Sequence, residues 1–361
     1  MQHDSTRRTA PHTGNATGLT VGLDLGDTYS SLCVLDEEGN IVEEGRVRTT
    51  ASALTRRFQG LVPSRVVLEV GTHSPWVSRL VAALGHEVVV ANPRAVRLIA
   101  ESDHKQDRTD AEHLARLGRL DPHLLAPIRH RGQKAQEDLA FIRSRHSLVR
   151  ARTALINHVR GAVKAHGGRL PACSAPAFPR KVVASLPEGL RPALLPHLEL
   201  IALLTRQIAA TDRQVEALCT ERYPETTLLR QVPGVGPLTT LTYVLTLEDP
   251  SRFRRSRDVG PYLGLTPRQR QSGARSPQLP ISKAGDCYLR QLLVGCAHYI
   301  LGPFGPDSDL RRWGLRYAPP GARNAKHRAV VAVARKLAVL LHRLWVTGEV
   351  YQPLRQGEQV A

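Results

Sequence analysis

The chain has 361 residues, enough for two or three domains with cores of their own, and a formal net charge of +18. That charge is uneven: residues 1–110 carry 12 Lys+Arg against 14 Asp+Glu, net −2, whereas residues 251–361 carry 19 against 6, net +13. Five cysteines with no Cys-x-x-Cys pair exclude a disulfide framework and a zinc site of ordinary spacing, and no uninterrupted apolar run approaches the roughly 20 residues of a membrane span. A cytoplasmic protein whose C-terminal part grips nucleic acid is expected.

Residues 1–17 are polar without an apolar segment, which reads as a disordered lead-in and not a signal peptide. Thr20–Leu25, Tyr29–Leu35 and Asn40–Val47 are short β-type runs parted by Gly26-Asp27 and Glu37-Glu38-Gly39, a three-strand meander. A helix over Ala51–Gly60 leads to a strand over Arg65–Val70. A helix from Pro75 to Leu84, a strand over Glu87–Ala91 and a helix near Pro93–Ala100 follow. Asp107–Arg119 is helical, with Ala111, Leu114, Ala115 and Leu117 on its apolar side. Three antiparallel strands followed by alternating helix and parallel strand is the ribonuclease-H order. Residues 18–130 are therefore expected to form a ribonuclease-H-like α/β domain in which the first and fourth strands are neighbours.

From Gln133 the pattern changes. Ile142, Val149, Ile156 and Val163 recur every seven residues; after a proline-rich break the period returns in Ile201, Ile208 and Val215. Leu194 is in register too, with Pro196 expected to keep it outside the helix. Two heptad helices joined by a proline-rich link read as a coiled-coil arm over 131–224, either dimerising or folding back as an intramolecular hairpin. Residues 225–350 read as a basic, mostly helical domain, and 351–361 as a tail. The fold class is thus α/β plus all-α. The basic part opens with Val232-Pro-Gly234-Val-Gly236-Pro-Leu-Thr, a helix-hairpin-helix-like turn whose glycines let backbone N–H groups approach a phosphate, or a tight helix–helix corner without ligand.

Two constellations carry chemistry. Asp24 and Glu69 end otherwise apolar strands, and Asp107 and Asp110 share one helix face. Taken singly, Asp24 is better explained as a strand-end turn residue and Glu69 as a surface acid. Grouped carboxylates stay ionised when a cation neutralises them, and hard oxygen donors favour Mg²⁺ or Mn²⁺, which can promote phosphoryl transfer. The second is Ser272-Gly273 in a loop with Arg268, Arg270, Arg275 and Lys283, backed upstream by Arg252, Arg254 and Arg255. Guanidinium groups can hold the phosphate that a serine attacks. On spacing alone, a serine in a basic loop is more often a phosphate contact, or no contact at all, than a nucleophile.

Asp24, Glu69 and the Lys105-x-Asp107-x-x-Asp110-Ala111 stretch resemble the Asp-Glu-Asp-Asp domain of insertion-sequence transposases of the one-hundred-ten group. Val232-Pro-Gly-Val-Gly-Pro-Leu-Thr, Gly264-Leu-Thr-Pro-Arg-Gln, Ser272-Gly273 and Ile281-Ser-Lys-x-Gly285-Asp286 resemble that family's C-terminal domain. The resemblance covers residues 18 to 350. It implies a Holliday-junction-resolvase-like domain binding Mg²⁺ through Asp24, Glu69, Asp107 and Asp110, and a serine, here Ser272, that forms a transient phosphoserine link to DNA. It also implies an oligomer with a composite site, guided by a structured non-coding RNA that pairs with donor and target DNA. The sequence departs at Gln106, where Thr is usual. It departs again around Ser272, where Gln271 and Ala274 replace Ser and Gly and Ser276-Pro-Gln-Leu-Pro280 follows. A metal-only junction resolvase or nuclease, and a non-enzymatic nucleic-acid-binding protein, remain as alternatives.

Overall fold

The computed structural model describes residues 18–99, 107–273, 275, 277, 279–317 and 324–354. The expected lead-in, Lys105 and Gln106 lie outside the described residues, as do Ala274, Ser276 and most of the tail. The chain divides into two compact units at Arg131/Gly132.

In the first unit, strands β1 (Thr20–Asp24), β2 (Tyr29–Leu35) and β3 (Ile41–Arg48) form the meander. Helix α1 (Ala51–Gln59), β4 (Arg65–Glu69), α2 (Ser74–Ala83), β5 (Glu87–Ala91), α3 (Pro93–Ile99) and α4 (Asp107–Leu120) follow. The sheet order is β3-β2-β1-β4-β5, antiparallel within the meander and parallel across β1, β4 and β5. Side chains alternate between the faces with the period of two that a pleat imposes. Val21, Leu23, Val66 and Leu68 are buried against Leu54, Phe58, Val77 and Val81 of α1 and α2. The opposite face carries Cys33, Leu35 and Val67 under Ala111, Leu114 and Ala115 of α4.

Small residues set how closely α4 lies on the sheet. A Cβ on Gly22 would stand 1.9 Å from the Ala111 carbonyl oxygen and 2.6 Å from the Ala115 nitrogen. One on Gly118 would stand 2.2 Å from Val67. No side chain other than hydrogen fits at Gly22 without lifting the helix off β1.

The second unit begins with α5 (Gln133–Ala165), then α6 (Phe178–Val182) and α7 (Arg191–Glu221). Helices α5 and α7 run antiparallel in one chain. Val159 and Val163 meet Leu194, Leu198 and Ile201 at one end, and Ile142 meets Val215 at the other. Pro196 does not exclude Leu194. It lies inside α7, and Leu194 is buried. Pro196 sits near the helix start on the exposed side, where the carbonyl left without a donor reaches water. Within Glu188–Glu221 an 18-residue window reaches a mean hydropathy of 1.2, apolar enough for a membrane span, yet here its heptad side chains fill the hairpin core.

Short α8 (Glu225–Leu229) precedes α9 (Pro237–Leu247), whose residues Thr239–Leu247 are all buried. Around it pack α10 (Val259–Tyr262), α11 (Cys287–Leu301), α12 (Asp309–Arg316) and α13 (Ala325–Thr347). The Tyr243 hydroxyl donates to the Ala338 carbonyl at 2.6 Å, tying α9 to α13. All five cysteines are free thiols.

Candidate functional site

Register places the first two acids. Val21 pairs with Val66 and Leu23 with Leu68 across the parallel β1–β4 ladder. One step on, Asp24 and Glu69 end the two strands side by side, about 4.8 Å apart by ordinary strand spacing. Alternation puts both on the face of Gly22 and Val67, the face that α4 covers. The Gly118 carbonyl accepts from Arg65 at the start of β4, at 3.1 Å, while Ala111 lies on Gly22. Helix α4 therefore runs back along the sheet with its N-terminus toward the strands' carboxyl ends. Asp107 and Asp110 occupy that first turn. Arg108 between them is held by Glu44 of β3.

The four acids are thus a strand pair and a helix pair. Among the described residues, no three carboxylate, imidazole or thiol groups are drawn close enough to hold one ion. In chemical type the set is four hard oxygen donors, which suits Mg²⁺ or Mn²⁺.

Beside Glu69 the structure adds residues that spacing did not single out. The Ser74 hydroxyl donates to the Gly71 carbonyl at 2.9 Å and accepts from the Gly71 N–H at 3.0 Å, pinning the loop that follows Glu69. His130 Nε2 meets the same hydroxyl at 2.9 Å. Burial, with Arg79 and Arg131 nearby, holds His130 below the usual imidazole range. His73 approaches Asp27 at 3.3 Å and accepts from the Trp76 indole at 3.1 Å. The legible signal was His73-Ser74-Pro75 directly after a buried strand.

In the second unit, the expected loop around Ser272 is a hairpin. Lys283 N–H bonds the Gly264 carbonyl at 3.1 Å, Ser282 N–H the Thr266 carbonyl at 2.8 Å, and Arg268 N–H the Pro280 carbonyl at 3.0 Å. At the tip, Ser272 and Arg275 exchange both backbone bonds at 3.1 Å, with Gly273 at φ 56°. Ser272, Arg268, Arg270, Arg275 and Lys283 are exposed. The three arginines make no ion pair with a described residue, so the tip is a region of unmatched positive charge around one hydroxyl.

The hairpin base is built with more care than its tip. Gly264 and Gly285 hold φ of 66° and 67°, and a Cβ on either would meet backbone at 2.2 Å. Arg290, buried on α11, donates to the Leu263 carbonyl at 2.9 Å and to the Ala284 carbonyl at 2.6 Å, one on each leg. Asp286 caps α11 through the Leu289 N–H at 2.8 Å and accepts from Arg143 of α5 at 3.0 Å. Sequence reasoning passed over Arg290; its signal was a lone arginine among Leu289, Leu292 and Leu293.

The remaining predicted contacts separate. Arg254 and Arg255 are exposed. Arg252 instead donates to the Leu247 carbonyl at 3.2 Å and lies over the Tyr262 ring at 5.8 Å. At the turn before α9, Gly234 holds φ 85°, and a Cβ there would stand 2.5 Å from Tyr299. Gly236 caps α9 with open space before it.

Residues 21–167 match a family described as a transposase, and residues 226–308 match the transposase IS116/IS110/IS902 family. The chain is 30% identical over 339 residues to the transposase for insertion sequence element IS1111A of Coxiella burnetii, covering 92% of this chain and 91% of that protein. It is 30% identical to a probable family 20 transposase of Pseudomonas aeruginosa, over 92% and 98% of the two chains. The transposase for insertion sequence element IS1328 of Yersinia enterocolitica gives the same identity and coverage. With both family matches in one chain and 30% identity held over nearly the full length of these relatives, this chain belongs to the IS116/IS110/IS902 family of transposases.

Proposed function

We propose that this transposase cuts and rejoins DNA through a phosphoserine link at Ser272, with Asp24, Glu69, Asp107 and Asp110 of a ribonuclease-H-like unit as its metal-binding acids. The observation that carries the reading is the β1–β4 register. It ends two adjacent parallel strands in Asp24 and Glu69, on the face where α4 brings its first-turn acids. A bound Mg²⁺ or Mn²⁺ would supply Lewis-acid polarisation of a phosphodiester oxygen there.

Ser272 Oγ attacks the phosphorus. The bond from phosphorus to the departing DNA oxygen breaks as the bond to Oγ forms, and the serine proton ends on that oxygen. A hydroxyl of the receiving DNA end reverses the exchange and returns the proton to Ser272. Each phosphodiester is kept in a new linkage, so no nucleoside triphosphate is needed. Arg268, Arg270 and Arg275 at the tip hold the phosphate, and Arg254, Arg255 and Lys283 lie on the DNA path. A structured non-coding guide RNA chooses the sites, the α5–α7 arm joins copies of the chain, and the work is done in the cytoplasm.

A protein–DNA adduct that survives denaturation tests the reading. The parent should form it and Ser272→Ala should not. Asp24→Asn should slow cleavage about 100-fold or more, the several kcal/mol a Lewis acid contributes. Cleavage persisting in Ser272→Ala without an adduct would establish metal-only hydrolysis instead.

A further inference from the structure

A groove of about 1170 Å³ opens in the second unit between α12, α13 and the base of the Ser272 hairpin. Its floor is apolar, with Leu265 and Ile281 from the hairpin legs beside Leu310, Val331 and Leu340. One wall carries Trp313 and Tyr317, stacked with ring centroids 5.3 Å apart and planes at 25°. Tyr317 is 46% exposed. The Lys336 ammonium stands 4.0 Å from the Trp313 ring centroid, and Arg335 precedes it on α13. Neither cation makes an ion pair with a described residue. Among the described lining residues Asp309 is the one acid, against Arg328, Arg335, Lys336 and Arg343, the last paired with Glu349. Burial and, after it, the nearby Arg316 hold Lys336 below the usual ammonium range.

An exposed aromatic face over an apolar floor, with Arg335 and Lys336 beside it, matches bases on a phosphate backbone only where those bases are unpaired. A duplex buries its base faces in its own stack. An acidic peptide would satisfy the cations and leave the ring pair without flat partners. We propose that this groove holds an unpaired DNA strand, a base stacked on Tyr317, which Trp313 backs, and its phosphates against Arg335 and Lys336. The inference rests on the reading that Ser272 acts on DNA, because the groove floor and the serine share one hairpin. Pro267 pairs with Ile281 at the groove, and Ser272 lies five residues further along the same leg. At about 3.3 Å per residue that is about 17 Å, a span of a few nucleotides. A strand seated in the groove thereby leads its next phosphates toward the serine.

The test is made on the full chain carrying Ser272→Ala, so that no strand is consumed. Binding is followed by fluorescence anisotropy with oligonucleotides of about 15 nucleotides, the span of one such site: single-stranded DNA, single-stranded RNA of the same sequence, and duplex DNA. Adding Tyr317→Ala should weaken binding of single-stranded DNA about tenfold, the loss of one stacked base, and leave duplex binding within about twofold. Trp313→Phe, which keeps a ring against Lys336, should retain the affinity. Arg335→Gln with Lys336→Gln should flatten the salt dependence by about 0.7 per phosphate lost. Tyr317→Ala binding single-stranded DNA like the parent, or losing duplex equally, would overturn the proposal. So would a Tyr317 dependence found only with RNA. Since this readout needs no reaction, a missing phosphoserine adduct beside intact Tyr317-dependent binding would remove the catalytic reading alone.

Discussion

Arg290→Met isolates the device that holds the serine. The arginine donates one bond to each hairpin leg, at the Leu263 and Ala284 carbonyls, from a buried position on α11. A hydrogen bond from a charged group contributes about 1.5–3 kcal/mol, so the pair contributes about 3–6 kcal/mol. Removing a buried guanidinium also recovers part of its desolvation cost. The net loss is then about 2–4 kcal/mol, below the about 5–15 kcal/mol that keeps a domain folded. The helical core should therefore survive while the hairpin base opens about 30- to 700-fold more often, at tenfold per 1.4 kcal/mol. Hydrogen exchange reads this directly at the Ser282 and Lys283 amides, which bond the opposite leg. Native trypsin reads it at Arg268, Arg270 and Arg275. Arg290→Lys, with one donor group reaching one leg, should fall between. Unchanged exchange at those two amides would refute the argument, and so would acceleration spread evenly through α13, which would mean a global rather than a local anchor.

In the first unit, Gly22→Ala should cost about 2 kcal/mol or more through overpacking, because its Cβ meets the Ala111 carbonyl at 1.9 Å. Gly45→Ala on β3, with nothing within 4 Å of its Cβ, is the matched control, and equal melting temperatures for the two would sink the packing account. His130 predicts a pH effect. Its folded state favours the neutral ring, so below the ordinary imidazole value of about 6.5 the unfolded chain binds more protons. Stability from this group is full above that pH and is lost as pH falls through the lowered folded value. His130→Gln should show a shallower fall in melting temperature than the parent between about pH 7.5 and 5.5; identical slopes would count against it.

Much of the first unit was legible because two periodicities are local. Alternation in Val21–Asp24 and Val66–Glu69 fixes which side chains share a face, and three antiparallel strands before a parallel one fix which strands are neighbours. What the chain did not announce is how α4 sits. Gly22, Ala111, Ala115 and Gly118 look like ordinary small residues until two elements far apart in sequence are pressed together. The heptads likewise gave α5 and α7, yet Val149 and Ile156 are only half-buried while Ile142 and Val163 are fully buried. Arg145–Asp212 and Arg152–Thr205 occupy the middle of the helix pair, and polar partners across the seam are invisible to a repeat of apolar positions. The Ser272 hairpin escaped for a related reason. Its prolines and arginines show no strand alternation, since backbone bonds and three left-handed glycines shape it rather than a buried face.

Charge behaved differently again. A net of +13 over residues 251–361 points to a polyanion, but it does not say which cations meet it. Arg252 and Arg290 spend their donors on backbone carbonyls, as Arg311 does on Ile300 and Gly302. Each of these holds a chain reversal in place inside the unit. The cations left facing outward, Arg254, Arg255, Arg268, Arg270 and Arg275, lie on the segments so held. A neutral substitution in the first group should therefore change what the second group can reach, with the affinity per phosphate preserved. On the proposed DNA path, replacing one of the second group should lower the salt slope by about 0.7–0.9 in a fold that is otherwise intact.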